Sequence, residues 1–318
     1  MRLLCPSAVH RKVTLVTPHN SSPNNSSLKM SPQRSILVLA DRSTEAQSSL
    51  HKASVLARHL DASIDIFLCD TEHAWAVREQ AHSNEARAVV AACDAENERF
   101  LQALRGSIPA TDLRINLSFG CAFAVHEGLA ERVEQLRPML VIKSLANSRE
   151  GRARPPQPAE MQVIRSCRVP LLLSQGHQWQ PVPRFCVALD ANARDEAMSR
   201  SILLMTAQLA RECHGVWSVG LLRDPQDRRS DPEPGDVQAR WRDLAPQSVH
   251  QVPGSPLEGV VDLIREQRID VLVLGEGTRL SPRSGQPSFA EQVVGRVTCD
   301  LMVIPRDPSS QWSSARSL

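Results

Sequence analysis

The sequence predicts an α/β chain of two tandem doubly wound domains, each on a five-stranded parallel sheet, related by a pseudo-two-fold axis. Three observations predict it. First, apolar runs of strand length, such as SILVLAD at 35–41, alternate with stretches of helical periodicity. Continuous apolar runs fit strands buried on both faces of a parallel sheet. Second, this strand–helix order is traversed twice. Third, EGLAERVEQLRPMLVIKS at 127–144 and EGVVDLIREQRIDVLVLG at 258–275 stand in register at an offset of 131, with Gly128 matching Gly259 and Val141 matching Leu272. Such self-similarity marks one structural unit used twice.

The elements follow in order. After the strand at 35–41, Ser43 opens a helix whose apolar positions are Leu50, Ala53, Val55, Leu56 and Leu60; a serine there can accept the orphan N–H groups of the first turn. The strand at 63–70, SIDIFLCD, leads to a helix placed at 84–104, where Val89, Val90, Cys93, Phe100, Leu101 and Leu104 recur at helical spacing. A strand near 113–119, a helix near 124–136 and a strand at 139–143 come next. A loop rich in Arg and Pro covers 147–158, and a helix near 160–166 and a strand from Val169 to Leu173 close the unit. Residues 177–183, within the aperiodic GHQWQPVP, form a linker. The second half runs strand 185–190, helix 196–212, strand 216–222, helix 237–244, short strand 249–252, helix 257–268, strand 269–274, helix 290–297 and strand Leu301 to Ile304. The domains are therefore expected at 33–176 and 184–307.

Composition narrows the function. The 318 residues carry 37 Lys+Arg against 35 Asp+Glu, no tyrosine and 3% aromatics. A nucleic-acid binder needs a basic surplus to displace counterions, and a single-strand binder needs stacking aromatics; neither is expected. Arg2, Arg11, Lys12 and Lys29 give residues 1–32 a charge of +4, which leaves the rest at −2 within a formal total of +2. No apolar run nears the roughly 18 residues of a membrane span, and MRLLCPSAVHRKVTLVTP holds neither a sustained apolar segment nor a small-residue cleavage site. No membrane and no signal peptide are expected. The polar, turn-forming HNSSPNNSSLK leaves two readings of 1–32, a disordered arm or a stretch preceding a true start at Met30. Residues 308–318 are expected to be a disordered tail.

The cysteines at 5, 69, 93, 121, 167, 186, 213 and 299 show no C-x-x-C and no Cys/His ligand spacing. They read as small residues of a reducing, cytoplasmic protein, mostly buried, and no metal is expected. There is no G-x-S-x-G, H-E-x-x-H or G-x-x-x-x-G-K-[ST]. His126-Glu127 at a helix start is read as an exposed pair, and His51 and His59 as surface residues. No catalytic residue is expected, and the protein is read as a non-enzyme.

Ligands of open parallel sheets sit at the carboxyl ends of strands, where strand order reverses. Asp41 and Asp190 end the first strand of each half, and each reads either as a ribose or amide acceptor or as a turn-starting carboxylate. Gly275-Glu276-Gly277-Thr278 follows an apolar strand and could offer N–H groups to phosphate. The matching place in the first half is Lys143-Ser144, without glycine, followed by Arg149, Arg152 and Arg154.

VLADRS after the first strand, VALDAN in the second half, FAEQVVGRVTCDLMVIP at 289–305 and the divergent PAEMQVIRSCRVPLLL at 158–173 resemble the universal stress protein family, in its tandem form, from about 34 to 307. The resemblance implies a Rossmann-like, adenine nucleotide alpha hydrolase-like fold. Members that bind ATP carry a loop of form G-x2-G-x9-G-[ST]. Carried over, its positions fall on Gly275, Thr278, Pro287 and Ser288, with only eight residues between Thr278 and Pro287. Gly277 and Phe289 adjoin them, Asp190 takes the adenine-side carboxylate and Leu221 the second-strand backbone position. A proline removes an N–H that a phosphate would need. The first half keeps Asp41 but has Lys143 and Ser144 where the loop begins. The resemblance thus implies a stress-response protein without an intact ATP grip. ATP, if bound, would sit in the second half; the alternatives are slow ATP hydrolysis there, or carriage of an apolar, lipid-like ligand. It also implies that Val169 to Leu173 and Leu301 to Ile304 pair the two halves within one chain. Association of two chains stays open.

Overall fold

A computed structural model describes residues 10–11, 34–42, 48–109, 112–145, 156–191, 195–223, 235–236, 239, 241–276, 278 and 287–306. The order is β1 (His10–Arg11), β2 (Ser35–Ala40), α1 (Ser48–Leu60), β3 (Ser63–Asp70), α2 (Ala74–Glu79), α3 (Asn84–Gly106), β4 (Ile115–Cys121), α4 (Val125–Leu136), β5 (Leu140–Ser144), α5 (Pro158–Ser166) and β6 (Leu171–Ser174). It continues with β7 (Arg184–Asp190), α6 (Glu196–Glu212), β8 (Val216–Leu222), β9 (Ser248–Gln251), α7 (Pro256–Gln267), β10 (Val271–Gly275), α8 (Phe289–Val294) and β11 (Asp300–Ile304). All strands join one sheet in the order β1-β4-β3-β2-β5-β6-β11-β10-β7-β8-β9.

Within each half the five strands run parallel in the doubly wound order that the repeat predicts. The halves meet where β6 pairs antiparallel with β11, Leu173 opposite Leu301, Leu172 opposite Met302 and Leu171 opposite Val303. Antiparallel pairing of equivalent strands is what a two-fold relation between halves produces. The ladder begins at Leu171 rather than Val169 because Pro170 has no N–H; its carbonyl still accepts from Val141 N at 2.9 Å. At the outer edge, His10 and Arg11 pair antiparallel with Phe119 and Gly120 of β4.

The sheet separates two apolar layers, and each runs through both halves. On one face, Leu50, Ala53 and Leu56 of α1 and Ile202, Leu203 and Leu209 of α6 pack on Ile36, Val38, Val187 and Val273. On the other, Leu129 of α4, Val163 of α5, Val260 of α7 and Val293 of α8 pack on Leu37, Leu39, Leu172's neighbours Leu171 and Leu173, and Leu272. Burying alternate residues of the central strands on two helical layers is the energetic basis of this fold.

Local differences from the sequence reading have physical causes. Residues 43–47 lie outside the described residues, and α1 is described from Ser48. The short α2 precedes Ser83, whose side chain accepts from Ala86 N and starts α3 anew. Of the helix expected at 237–244, residues 237, 238 and 240 lie outside the described residues. Its end is one 3-10 turn, Arg242–Leu244, closed by left-handed Ala245. His59 is half-buried, with its ring edge-on to His214 of the other half at 5.5 Å.

The matched glycines have one explanation. A Cβ on Gly128 would lie 2.6 Å from Cys69 Sγ, and one on Gly259 would lie 2.3 Å from Val252 Cγ1 and 2.9 Å from the Pro253 carbonyl oxygen. Both let a helix start lie hard against the strand layer. Gly→Ala inside a helix ordinarily stabilises by about 0.8–1.0 kcal/mol, but overpacking costs about 1–3 kcal/mol. Gly259→Ala is therefore expected to lower the urea midpoint, and an unchanged or raised midpoint would refute the close approach.

Candidate functional site

The crevice at the switch point of the first half lies between the ends of β2 and β5. Lys143, buried on β5, places Nζ 3.2 Å from Asp41 Oδ2 and 3.1 Å from the Ser144 carbonyl oxygen. Its ammonium fills the space beside the carboxylate and spends that carboxylate's charge. Ser144 Oγ accepts from Ser49 N at 3.0 Å and donates to Ser49 Oγ at 2.9 Å, while Ser174 Oγ reaches Ser48 Oγ at 3.0 Å. These serines tie the start of α1 to the ends of β5 and β6.

The equivalent crevice of the second half lies between the ends of β7 and β10. Asp190 is half-buried there. Leu221 is buried, and its carbonyl accepts from Val252 N at 2.9 Å. A Cβ on Gly275 would meet Ile202 Cδ1 at 2.6 Å and Met198 Cε at 3.0 Å. That glycine admits two side chains of α6 over the strand end. Thr278 N donates to the Gly275 carbonyl at 3.0 Å and closes a tight turn. Gly277 lies outside the described residues, as do Arg149, Arg152 and Arg154. Ser288 caps α8: its Oγ accepts from Glu291 N at 3.3 Å while Glu291 Oε2 accepts from Ser288 N at 2.5 Å. Phe289 is buried in the core. Pro287 offers a carbonyl, which accepts from Gln292 Nε2 at 2.9 Å.

Three structures resemble the whole arrangement. One is described as a universal stress protein from Pseudomonas aeruginosa UCBPP-PA14, with TM-score 0.60, 16% identity and coverage of 86% of this chain and 94% of that one. A protein described as functionally unknown from Pseudomonas aeruginosa PAO1 gives 0.60, 16%, 86% and 93%. A universal stress protein from Archaeoglobus fulgidus DSM 4304 gives 0.61, 14%, 86% and 96%. The fold is that of the universal stress proteins. No protein-family model and no curated protein sequence matches the chain.

Within this universal stress protein fold, a second group of polar side chains stands at the carboxyl end of β3, away from both crevices. Asp70 ends the strand. Its Oδ1 accepts from the backbone N of Glu72 at 3.0 Å and of His73 at 3.2 Å, starting α2. Its Oδ2 is met by His73 Nδ1 at 3.1 Å, Cys93 Sγ at 2.7 Å and Asn97 Nδ2 at 3.3 Å. Burial pushes the Asp70 carboxyl up, but the hydrogen bonds from Cys93, His73 and Asn97 outweigh it and hold the group below its ordinary value. Sequence reasoning missed this cluster because its members come from the end of a strand, a turn and the middle of a helix. His126, elsewhere at the start of α4, is half-buried, with Nδ1 enclosed and without a hydrogen-bond partner.

All described cysteines are free, and all but half-buried Cys69 are buried. Burial pushes the thiols of Cys69 and Cys213 up to about 12 and those of Cys167 and Cys186 up to about 11. The thiolate is the nucleophile. Iodoacetamide is therefore expected to leave Cys186, Cys213 and Cys299 unmodified in the folded protein and to label them after unfolding; peptide mapping of labelled, undenatured protein that found them alkylated would contradict it.

Proposed function

We propose that this chain is a tandem universal stress protein of the E-type class, cytoplasmic, acting as a regulatory binding module without ATP hydrolysis. One observation carries the reading: at both switch points, described residues at the positions that would grip a nucleotide are engaged in the fold itself. Lys143 occupies the Asp41 carboxylate in the first half. In the second, Ser288 is spent as a helix cap, Pro287 lacks an N–H and Gly275 lies under Ile202 and Met198. A phosphate site needs free N–H groups converging on it, and these residues offer few. The tandem reading is supported by similarities that extend over 86% of this chain, and so over both halves. No helix among the described residues is long and apolar enough to cross a membrane.

Calorimetric titration of the full chain with ATP tests the proposal. The expected result is no heat of binding at micromolar protein and no phosphate release. Micromolar binding lost in Asp190→Ala would overturn it in favour of a nucleotide-binding second half.

A further inference from the structure

We propose that Asp70, His73 and Cys93 form a binding site for a transition-metal dication of the zinc type, built into the first half only. The ligand atoms of the three residues all lie within 4.8 Å of one another. They supply a carboxylate oxygen, an imidazole nitrogen and a sulfur. A hard ion such as calcium or magnesium takes oxygens alone, whereas zinc accepts this mixture, with bonds of about 2.0–2.3 Å. Tetrahedral coordination would set such donors roughly 3.3–3.6 Å apart on those bond lengths. Asp70 Oδ2 now stands 3.1 Å from His73 Nδ1 and 2.7 Å from Cys93 Sγ. The His73 and Cys93 donors therefore need to part from Asp70 Oδ2 by less than about 1 Å around an ion that takes the place of the thiol proton.

The surroundings are those of a built site. Two backbone N–H groups fix Asp70 Oδ1 and leave Oδ2 facing the cluster. Asn97, fully buried one turn after Cys93, donates to Oδ2, and its own Oδ1 accepts from Arg42 at 2.6 Å. Arg42 is held in turn by Glu96 at 2.6 Å and by the Phe100 ring at 5.0 Å. Such outer hydrogen bonds orient metal ligands. Asp70 and Cys93 are buried while the His73 side chain is 35% exposed, so the open side faces solvent. Three protein ligands and one open position make the pattern of a zinc that keeps a water. A small cavity lined by Val90, Asp94 and Cys121 adjoins the Cys93 turn.

The duplication provides a control for necessity. The strand registers align Leu37 with Cys186 and Asp65 with Ser218, so Arg223 follows β8 where Asp70 ends β3. A cation stands there in the second half, and the fold forms all the same. The cluster is therefore an addition to the first half rather than a requirement of the architecture.

The test uses the full chain, stripped with chelator and titrated with Co2+ alone and then Zn2+ alone. One equivalent of Co2+ is expected, with a thiolate-to-cobalt charge-transfer band and intense visible bands of tetrahedral type, both abolished by Zn2+. Cys93→Ser is expected to remove the charge-transfer band, and Cys213→Ser to keep it. Asn97→Ala is expected to weaken affinity by about 10–100-fold. Should Cys93→Ser fail to fold, the folded wild type still decides: bound Zn2+ is expected to slow alkylation of Cys93 in peptide maps. Absence of the charge-transfer band in the wild type, its survival in folded Cys93→Ser, or alkylation of Cys93 that Zn2+ does not change would each overturn the proposal.

Discussion

Asp300→Ala is expected to destabilise the protein by about 3–5 kcal/mol, because it strands a buried charge. Asp300 is fully buried at the start of β11, and Lys52 of α1, 2% exposed, sets Nζ 3.2 Å from Oδ2. That contact is an ion pair without hydrogen-bond geometry; the ammonium leans instead on the Trp179 ring at 4.5 Å. Burial pushes the Asp300 carboxyl up and the Lys52 ammonium down, and each is opposed by the other's charge. Asp300 also accepts from Gln175 N and Trp179 Nε1, both at 2.7 Å. One carboxylate of the second half thus holds a lysine of the first and the segment between them. Removing it leaves an unpaired ammonium and two half-buried N–H donors without this acceptor. Lys52→Met combined with Asp300→Asn removes both charges and keeps an amide oxygen for the donors. It is expected to recover most of the urea midpoint lost in Asp300→Ala. Equal midpoints for Asp300→Ala and the double variant would show that the charge is not what matters.

Lys52 also shows where sequence periodicity stops. Of the apolar stripe read for α1, Leu50, Ala53, Leu56 and Leu60 are buried, while Val55 is half-buried. Lys52 is buried as well, because the helix faces the sheet on one side and the chain between the halves on another. A second contact surface leaves no mark in a one-sided pattern. The doubly wound order was legible because the central strands are buried on both faces and the elements recur in a second copy. Ser288 and Gly275 show the opposite difficulty. A glycine and a serine at loop-like spacing suit a phosphate cradle, yet the same residue types suit a tight helix approach and an N-cap, and here they serve those ends. Asp70, His73 and Cys93 were not legible as a set, since only tertiary folding brings a strand end beside the middle of α3.

The duplication makes a second large effect testable by transplant. Asp65 of β3 is 2% exposed; its oxygens accept from Ser118 Oγ at 2.9 Å and from Arg132 of α4 at 2.9 and 2.8 Å. The second half answers the same place without charge. Ser218 aligns with Asp65 by strand register, and Leu263, 131 positions after Arg132, packs against Gly220. Asp65→Ala is expected to cost about 3–5 kcal/mol, since the mostly buried Arg132 guanidinium would lose its counter-charge. Installing the second half's solution, Asp65→Ser with Arg132→Leu, is expected to fall within about 1–2 kcal/mol of wild type or above it, because apolar replacement of a whole buried ion pair is often neutral or stabilising. The serine would keep a hydroxyl within reach of Ser118, as Ser218 stands beside Cys186 in the other copy. Urea midpoints of the wild type, Asp65→Ala and the transplant decide it. A transplant as unstable as Asp65→Ala would mean that the first half depends on the charges themselves, and that the two copies no longer share one way of packing this layer.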